Sequence, residues 1–131
     1  MNKLKVIQIL PELNIGGVER GTKDFSKALV EKGHDSIVIS NGGIFETDIV
    51  SNGGIHINLP VHKKNPFSLF LAFKLAKIYE EYQPDIVHVR SRMPAWINYL
   101  AFKKLKKKPM LISTFHGLYS TPISVSYTHL R

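Results

Sequence analysis

Leu4-Lys5-Val6-Ile7-Gln8-Ile9-Leu10-Pro11-Glu12-Leu13-Asn14-Ile15-Gly16-Gly17-Val18 is the stretch that decides the fold. Its first half is short, apolar and β-branched, and it stops at a proline, as a strand buried on both faces does. Its second half turns through two glycines into a run where Val18, Thr22, Phe25, Leu29 and Val30 recur at helical spacing, until Gly33 ends it. A buried strand feeding a helix is the opening of a βαβ unit, and the rest of the chain repeats it. A second strand is predicted over 35–40, a short helix over 44–51, a third strand over 55–59 and a long helix over 66–82. A fourth strand at 85–90, a helix at 94–106 and a fifth strand at 109–115 complete the series. The long helix is expected to be largely buried, because Phe67, Phe70, Leu71, Phe73, Leu75, Ile78 and Tyr79 fall on most of its sides.

Strict alternation implies right-handed crossovers and a parallel sheet with helices on both faces. The expected fold class is therefore α/β, Rossmann-like, with strand order 3-2-1-4-5. With 131 residues, 44% of them hydrophobic, the chain has material for one core. It holds no cysteine, which excludes disulfides, thiolate metal sites and a cysteine nucleophile, and makes a reducing cytoplasm the expected compartment. No stretch approaches the roughly 20 apolar residues that span a bilayer. The formal charge is +8, and much of it sits at Lys103, Lys104, Lys106, Lys107 and Lys108. That cluster reads as a solvated helix end, with an anionic membrane surface as the partner it would otherwise suit. Nucleic acid is not expected, because basic and aromatic residues do not interleave as a stacking platform requires.

In an open parallel sheet, ligands bind beyond the carboxyl ends of the strands, where strand order reverses. That rule selects three loops: Asn14-Ile15-Gly16-Gly17, Ser91-Arg92-Met93 and His116-Gly117-Leu118. Gly16 and Gly17 let a backbone approach a ligand closely, and the helix that follows offers N–H groups suited to a diphosphate; a tight turn needing positive φ is the competing reading. His116, at a strand end, has the chemistry to donate to a sugar hydroxyl or to act as acid or base, as against an ordinary surface residue. Arg90 and Arg92 have the planar fork for phosphate or carboxylate, as against simple solvation. His88, inside a strand, reads as structural. His34, His56 and His62 lack metal-ligand spacing, and no metal site is expected. Gly16, Gly17 and Gly21 do not match GxGxxG, no acid ends the second strand, and no P-loop, nucleophile elbow or glycosidase carboxylate pair is present.

The run Ile9 to Thr22, then Lys32-Gly33-His34, Pro84-Asp85-Ile86-Val87-His88 with Arg90-Ser91-Arg92, Pro94-Ala95-Trp96 and Thr114-Phe115-His116-Gly117, resembles in order and spacing the amino-terminal domain of the retaining family-four glycosyltransferases. The likeness runs from Lys3 to Ser120. That family has the GT-B fold of two Rossmann-like domains, and this chain looks most like members that build lipopolysaccharide core or other cell-surface glycans at the inner membrane. By the resemblance, Gly16 and Gly17 would lie against the donor's diphosphate, and His116 would face the donor sugar or the acceptor. Glu19, Arg20, Arg90, Ser91, Arg92 and Gly117 would stand on the acceptor side, although Glu19 also suits a helix amino terminus. The resemblance implies a nucleotide-diphosphate sugar as substrate, a glycan or lipid-linked acceptor, retention of configuration, no cofactor and no obligatory metal. It also implies a missing carboxy-terminal domain that holds the base and ribose, so this chain alone is expected to be inactive and to expose a face meant for its partner.

Val125-Ser126-Tyr127-Thr128-His129-Leu130-Arg131 resembles translated sequencing adapter, so the native domain is expected to comprise residues 1–124, as against a genuine β-prone end. Two other functions fit the same residues. One is a non-enzymatic Rossmann-like module for a nucleotide or phosphorylated ligand. The other is a peripheral membrane protein using Lys63-Lys64 and the later lysine cluster.

Overall fold

The computed structural model describes residues 3–11, 17–60, 68–90, 92–115 and 124–129. In chain order the elements are β1 (Lys5–Ile9), α1 (Gly17–Glu31), β2 (Asp35–Ser40), α2 (Glu46–Ser51), β3 (Ile55–Asn58), α3 (Ser68–Tyr82), β4 (Ile86–Val89), α4 (Arg92–Phe102), β5 (Met110–Phe115) and β6 (Ser124–His129). One sheet takes all these strands in the order β3-β2-β1-β4-β5-β6. The first five strands are parallel and follow the expected 3-2-1-4-5; β6 adds an antiparallel edge beside β5.

The period-two alternation of each strand divides the sheet into two unlike faces. Ile7, Ile9, Ile37, Ile39, Val87 and Val89 point to one side, where they are buried against Leu71, Leu75 and Tyr79 of α3 and Ile97, Ala101 and Phe102 of α4. The other side is mixed. Leu10 and Val38 join Phe45 and Ile49 in a small apolar cluster beneath α2, but Gln8, Ser36 and Ser40 are buried there too. Helix α1 meets this side with Thr22, Ser26 and Leu29, spaced by four and three. The hydroxyls of Ser26 and Ser36 share a hydrogen bond of 2.6 Å, so the polar residues of strand and helix satisfy each other.

Gly33, at φ +85°, ends α1. His34 N–H then reaches back to the Leu29 carbonyl at 2.9 Å, closing the helix as the glycine stop predicts. Helix α3 departs from the expectation of general burial. Leu71, Ala72, Leu75, Ala76 and Tyr79 form the inward stripe, while Phe70 and Phe73 are 58% and 52% exposed. A helix lying on one sheet can bury only one stripe, and a sequence apolar all round does not show which. Lys74 covers the Phe70 ring at 4.9 Å, and Lys77 and Lys104 approach the Phe73 ring at 5.8 and 5.0 Å. Phe25 of α1, also expected inward, is exposed, because Thr22, Ser26 and Leu29 take the sheet side. Helix α4 begins at Arg92 and ends at Phe102, so the lysine cluster lies beyond it. Among the described residues, no helix is long and apolar enough to cross a membrane.

Candidate functional site

Strand β1 lies between β2 and β4, so the order reverses between the carboxyl ends of β1 and β4, the place where open parallel sheets bind their ligands. Gly16, Ser91, His116 and Gly117 lie outside the described residues, as do Lys63 and Lys64; the strand ends and helix starts that lead into the three loops are described. Gly17 opens α1 and is exposed. Its φ is not among the positive values, and a Cβ added there would meet no atom within 4 Å. Neither backbone conformation nor described packing demands glycine at this position. Glu19 lies in the first turn of α1, where its charge complements the helix dipole, and Arg20 beside it is exposed. Arg92 gives its backbone to the start of α4; its side chain is outside the described set.

Arg90 is the sequence-selected residue whose placement is fullest. Its N–H donates to the Ile9 carbonyl at 2.9 Å, which carries the pairing of β4 with β1 one residue beyond the strand. Its Nε donates to Oε1 of Gln8 at 2.9 Å. Gln8 Nε2 in turn donates to the Thr22 carbonyl at 3.3 Å, and the Thr22 hydroxyl donates to the Val18 carbonyl at 2.8 Å. A continuous polar chain thus runs from the first turns of α1 through β1 to the exit of β4. Its centre, Gln8, is 0% exposed and was not among the candidates. The available signal was a lone amide in the middle of an otherwise apolar strand, which must find partners for both ends of its side chain when buried.

Burial lowers the pKa of Arg90 below the ordinary guanidinium value. His88, two residues earlier on the same face, is pushed down from 6.5 to about 4, mainly by burial and then by the Arg90 charge. Its folded-state value lies below the unfolded one, so its contribution to stability is complete above 6.5 and is lost as pH falls from there toward 4. The site is partly solvated, which reduces the effect to about 1–2 kcal/mol. Urea unfolding at about pH 7 and about pH 4.5 should show that decline, and His88→Gln should remove this share of it. An equally steep decline in His88→Gln would assign it to other groups, among them His56, whose pKa is lowered in the same sense.

At the carboxyl end of β2, between β3 and α2, a second polar cluster imitates a catalytic relay. Ser40 Oγ lies 2.7 Å from His56 Nε2, and His56 Nδ1 lies 3.4 Å from Glu46 Oε1. With its proton on Nδ1 facing the carboxylate, the imidazole accepts from the serine through Nε2. Ser40 is 0% exposed, and its oxygen accepts the Gly42 N–H at 3.0 Å. A hydroxyl so enclosed has no approach for a substrate. The cluster instead ties the Asn41-Gly42-Gly43 turn to β3 and α2; Gly42 adopts φ +94° there, and a Cβ would come within 2.9 Å of Glu46 Oε2.

A concavity of about 220 Å³ between Tyr79, Gln83, Asp85, Lys108 and Met110 lies at the amino ends of β4 and β5, away from the strand exits. Among the described residues, no three histidine, aspartate or glutamate side chains are grouped to hold a metal ion.

The sequence profile described as Glycosyltransferase Family 4 matches residues 15–131. N-acetyl-alpha-D-glucosaminyl L-malate synthase of Bacillus anthracis is 30% identical over 122 residues, covering 88% of this chain and 32% of that protein. An uncharacterized 42.6 kDa protein in the cps region of Klebsiella pneumoniae is 29% identical over 141 residues, covering 91% and 37%. The crystal structure of a glycosyltransferase from Rickettsia africae ESF-5 superposes with a TM-score of 0.77 at 43% identity, covering 93% of this chain and 32% of that one. The chain spans about a third of the length of the relatives it matches.

Proposed function

The chain belongs to glycosyltransferase family 4, and from that premise we propose that it forms the acceptor-side Rossmann-like half of a retaining GT-B transferase. The full protein would move a sugar from a nucleoside diphosphate sugar to a cell-surface glycan, such as lipopolysaccharide core, or a lipid-linked acceptor. The observation that carries this reading is the arrangement at the point where the strand order reverses. At the strand exits of β1 and β4 it combines an exposed glycine that no described contact requires with a guanidinium tethered through Gln8. Gly16 and Gly17 admit the donor's diphosphate against the amino end of α1. His116, next after β5 in the sequence, serves the donor sugar or the acceptor hydroxyl, together with Gly117. Glu19, Arg20, Arg90, Ser91 and Arg92 hold the acceptor. In the reaction the anomeric carbon exchanges its bond to the diphosphate for one to the acceptor oxygen on the same side, the acceptor hydroxyl loses its proton, and the nucleoside diphosphate leaves. No cofactor or metal is assigned to the step.

The acceptor-bearing membrane would lie against the outer face of α3 and α4, at the inner side of the cell membrane. Phe70, Phe73 and Tyr99 are each more than half exposed there. Lys74, Lys77, Lys103 and Lys104 stand over these rings. Exposed aromatics among cations suit an anionic lipid surface.

The test compares the longest product of the gene with this chain alone. Each is supplied with labelled nucleotide sugars and an acceptor extract presented in anionic vesicles. Donor-dependent labelling is expected with the long product and not with the chain, since base and ribose contacts belong to a further domain in this reading. Transfer by the chain alone, or labelling by neither, would overturn it.

A further inference from the structure

We infer that Arg90 binds an oxyanion of a substrate, a phosphate or a carboxylate, and that the buried Gln8 is the positioning residue that aims it. Assignment of that oxyanion to a transferase substrate rests on the function proposed above; binding of the anion does not.

Three observations carry the inference. Arg90 is half-buried, and burial disfavours its charge. Among the described residues no carboxylate stands within 4 Å of it, and its terminal nitrogens make no hydrogen bond; its side chain bonds only a neutral amide through Nε. A partly desolvated cation that has no counter-charge among the described residues is in an unfavourable state, which a bound oxyanion would relieve. Gln8, fully buried and bonded at both ends, fixes the direction of Nε. The guanidinium is planar, so fixing Nε also fixes the fork of terminal nitrogens that takes an oxyanion in bidentate fashion. His88, held neutral near pH 7 by its depressed pKa, adds no charge of its own.

The sources of such an oxyanion are the acceptor and the donor's diphosphate. The test follows the backbone amide resonances of residues 9 and 90 in the ¹⁵N-labelled chain, which every variant retains, together with the Nε–H of Arg90 where that residue is present, during titration with inorganic phosphate. A saturable shift is expected, absent in Arg90→Gln and about tenfold weaker in Arg90→Lys, which keeps the charge and loses the fork. Gln8→Met should weaken binding by about tenfold and leave the Nε–H exchanging freely with water. Should Gln8→Met fail to fold, the half-exposed Arg90→Gln still decides the question. Added uridine diphosphate then separates the sources. If it displaces phosphate, the oxyanion is the donor's; if both bind together, it is the acceptor's. A phosphate response unchanged in Arg90→Gln would overturn the inference. So would one that appears only in Glu12→Gln, which would mean that the charge is matched within the chain. Neither outcome depends on transferase activity, so this inference and the proposed function fail separately.

Discussion

Phe102→Ala should lower the unfolding free energy by about 3–5 kcal/mol, a large part of the roughly 5–15 kcal/mol that holds a domain together. Phe102 is 2% exposed and belongs to the main apolar cluster. Its ring meets Tyr79 edge-on, with centroids 5.5 Å apart and planes at 86°, which joins α4 to α3. The same tyrosine donates its hydroxyl to the Asn98 side chain, so the aromatic pair also steadies a buried polar bond. Removing the ring opens a cavity and takes away the aromatic contact beside that bond. Urea denaturation monitored by far-ultraviolet circular dichroism reads the effect as a fall in midpoint at constant slope. Phe102→Leu, which refills most of the space, should recover more than half of the loss. A cost below about 1 kcal/mol for the alanine variant would show that this face repacks freely.

Gly54→Val should cost about 3 kcal/mol through overpacking, on the opposite face. A Cβ at Gly54 would lie 2.9 Å from Ser26 Oγ, 3.0 Å from Ile49 Cγ2 and 3.1 Å from the Ile49 carbonyl oxygen. None of these can move cheaply. The serine is held by Ser36 at 2.6 Å, and the carbonyl accepts the Gly54 N–H at 2.9 Å. The substitution should therefore separate α1 from the turn between α2 and β3. Thermal unfolding should show a lower midpoint, and Gly54→Ala should fall between the two. A valine variant as stable as the wild type would show that α1 shifts without loss.

Strand identity and order were legible because the decisive cues are local: β-branched runs closed by Pro11, Gly42-Gly43 and Pro60, with helical spacing between them. The order follows from handedness and not from any residue. Inward faces were less legible. Phe70 and Phe73 could not be told from Leu71 and Leu75, since all four are apolar and only the crossing of α3 over the sheet chooses among them. Arg90 could be selected from its place at a strand end. Gln8 could not, because its meaning lies in register: it is set beside His88 of β4, 80 residues away in sequence, and its partner Arg90 follows two positions later. The relay-like set Ser40, Glu46 and His56 was invisible for the same reason, since three elements assemble it.

The unlike faces of the sheet answer substitution in different ways. Hydrocarbon toward α3 and α4 anchors the architecture, and almost any lapse there is punished as misfolding. The amides, hydroxyls and imidazoles toward α1 and α2 are joined by directional bonds, so a substitution there strands a buried partner unless both members of a pair change together.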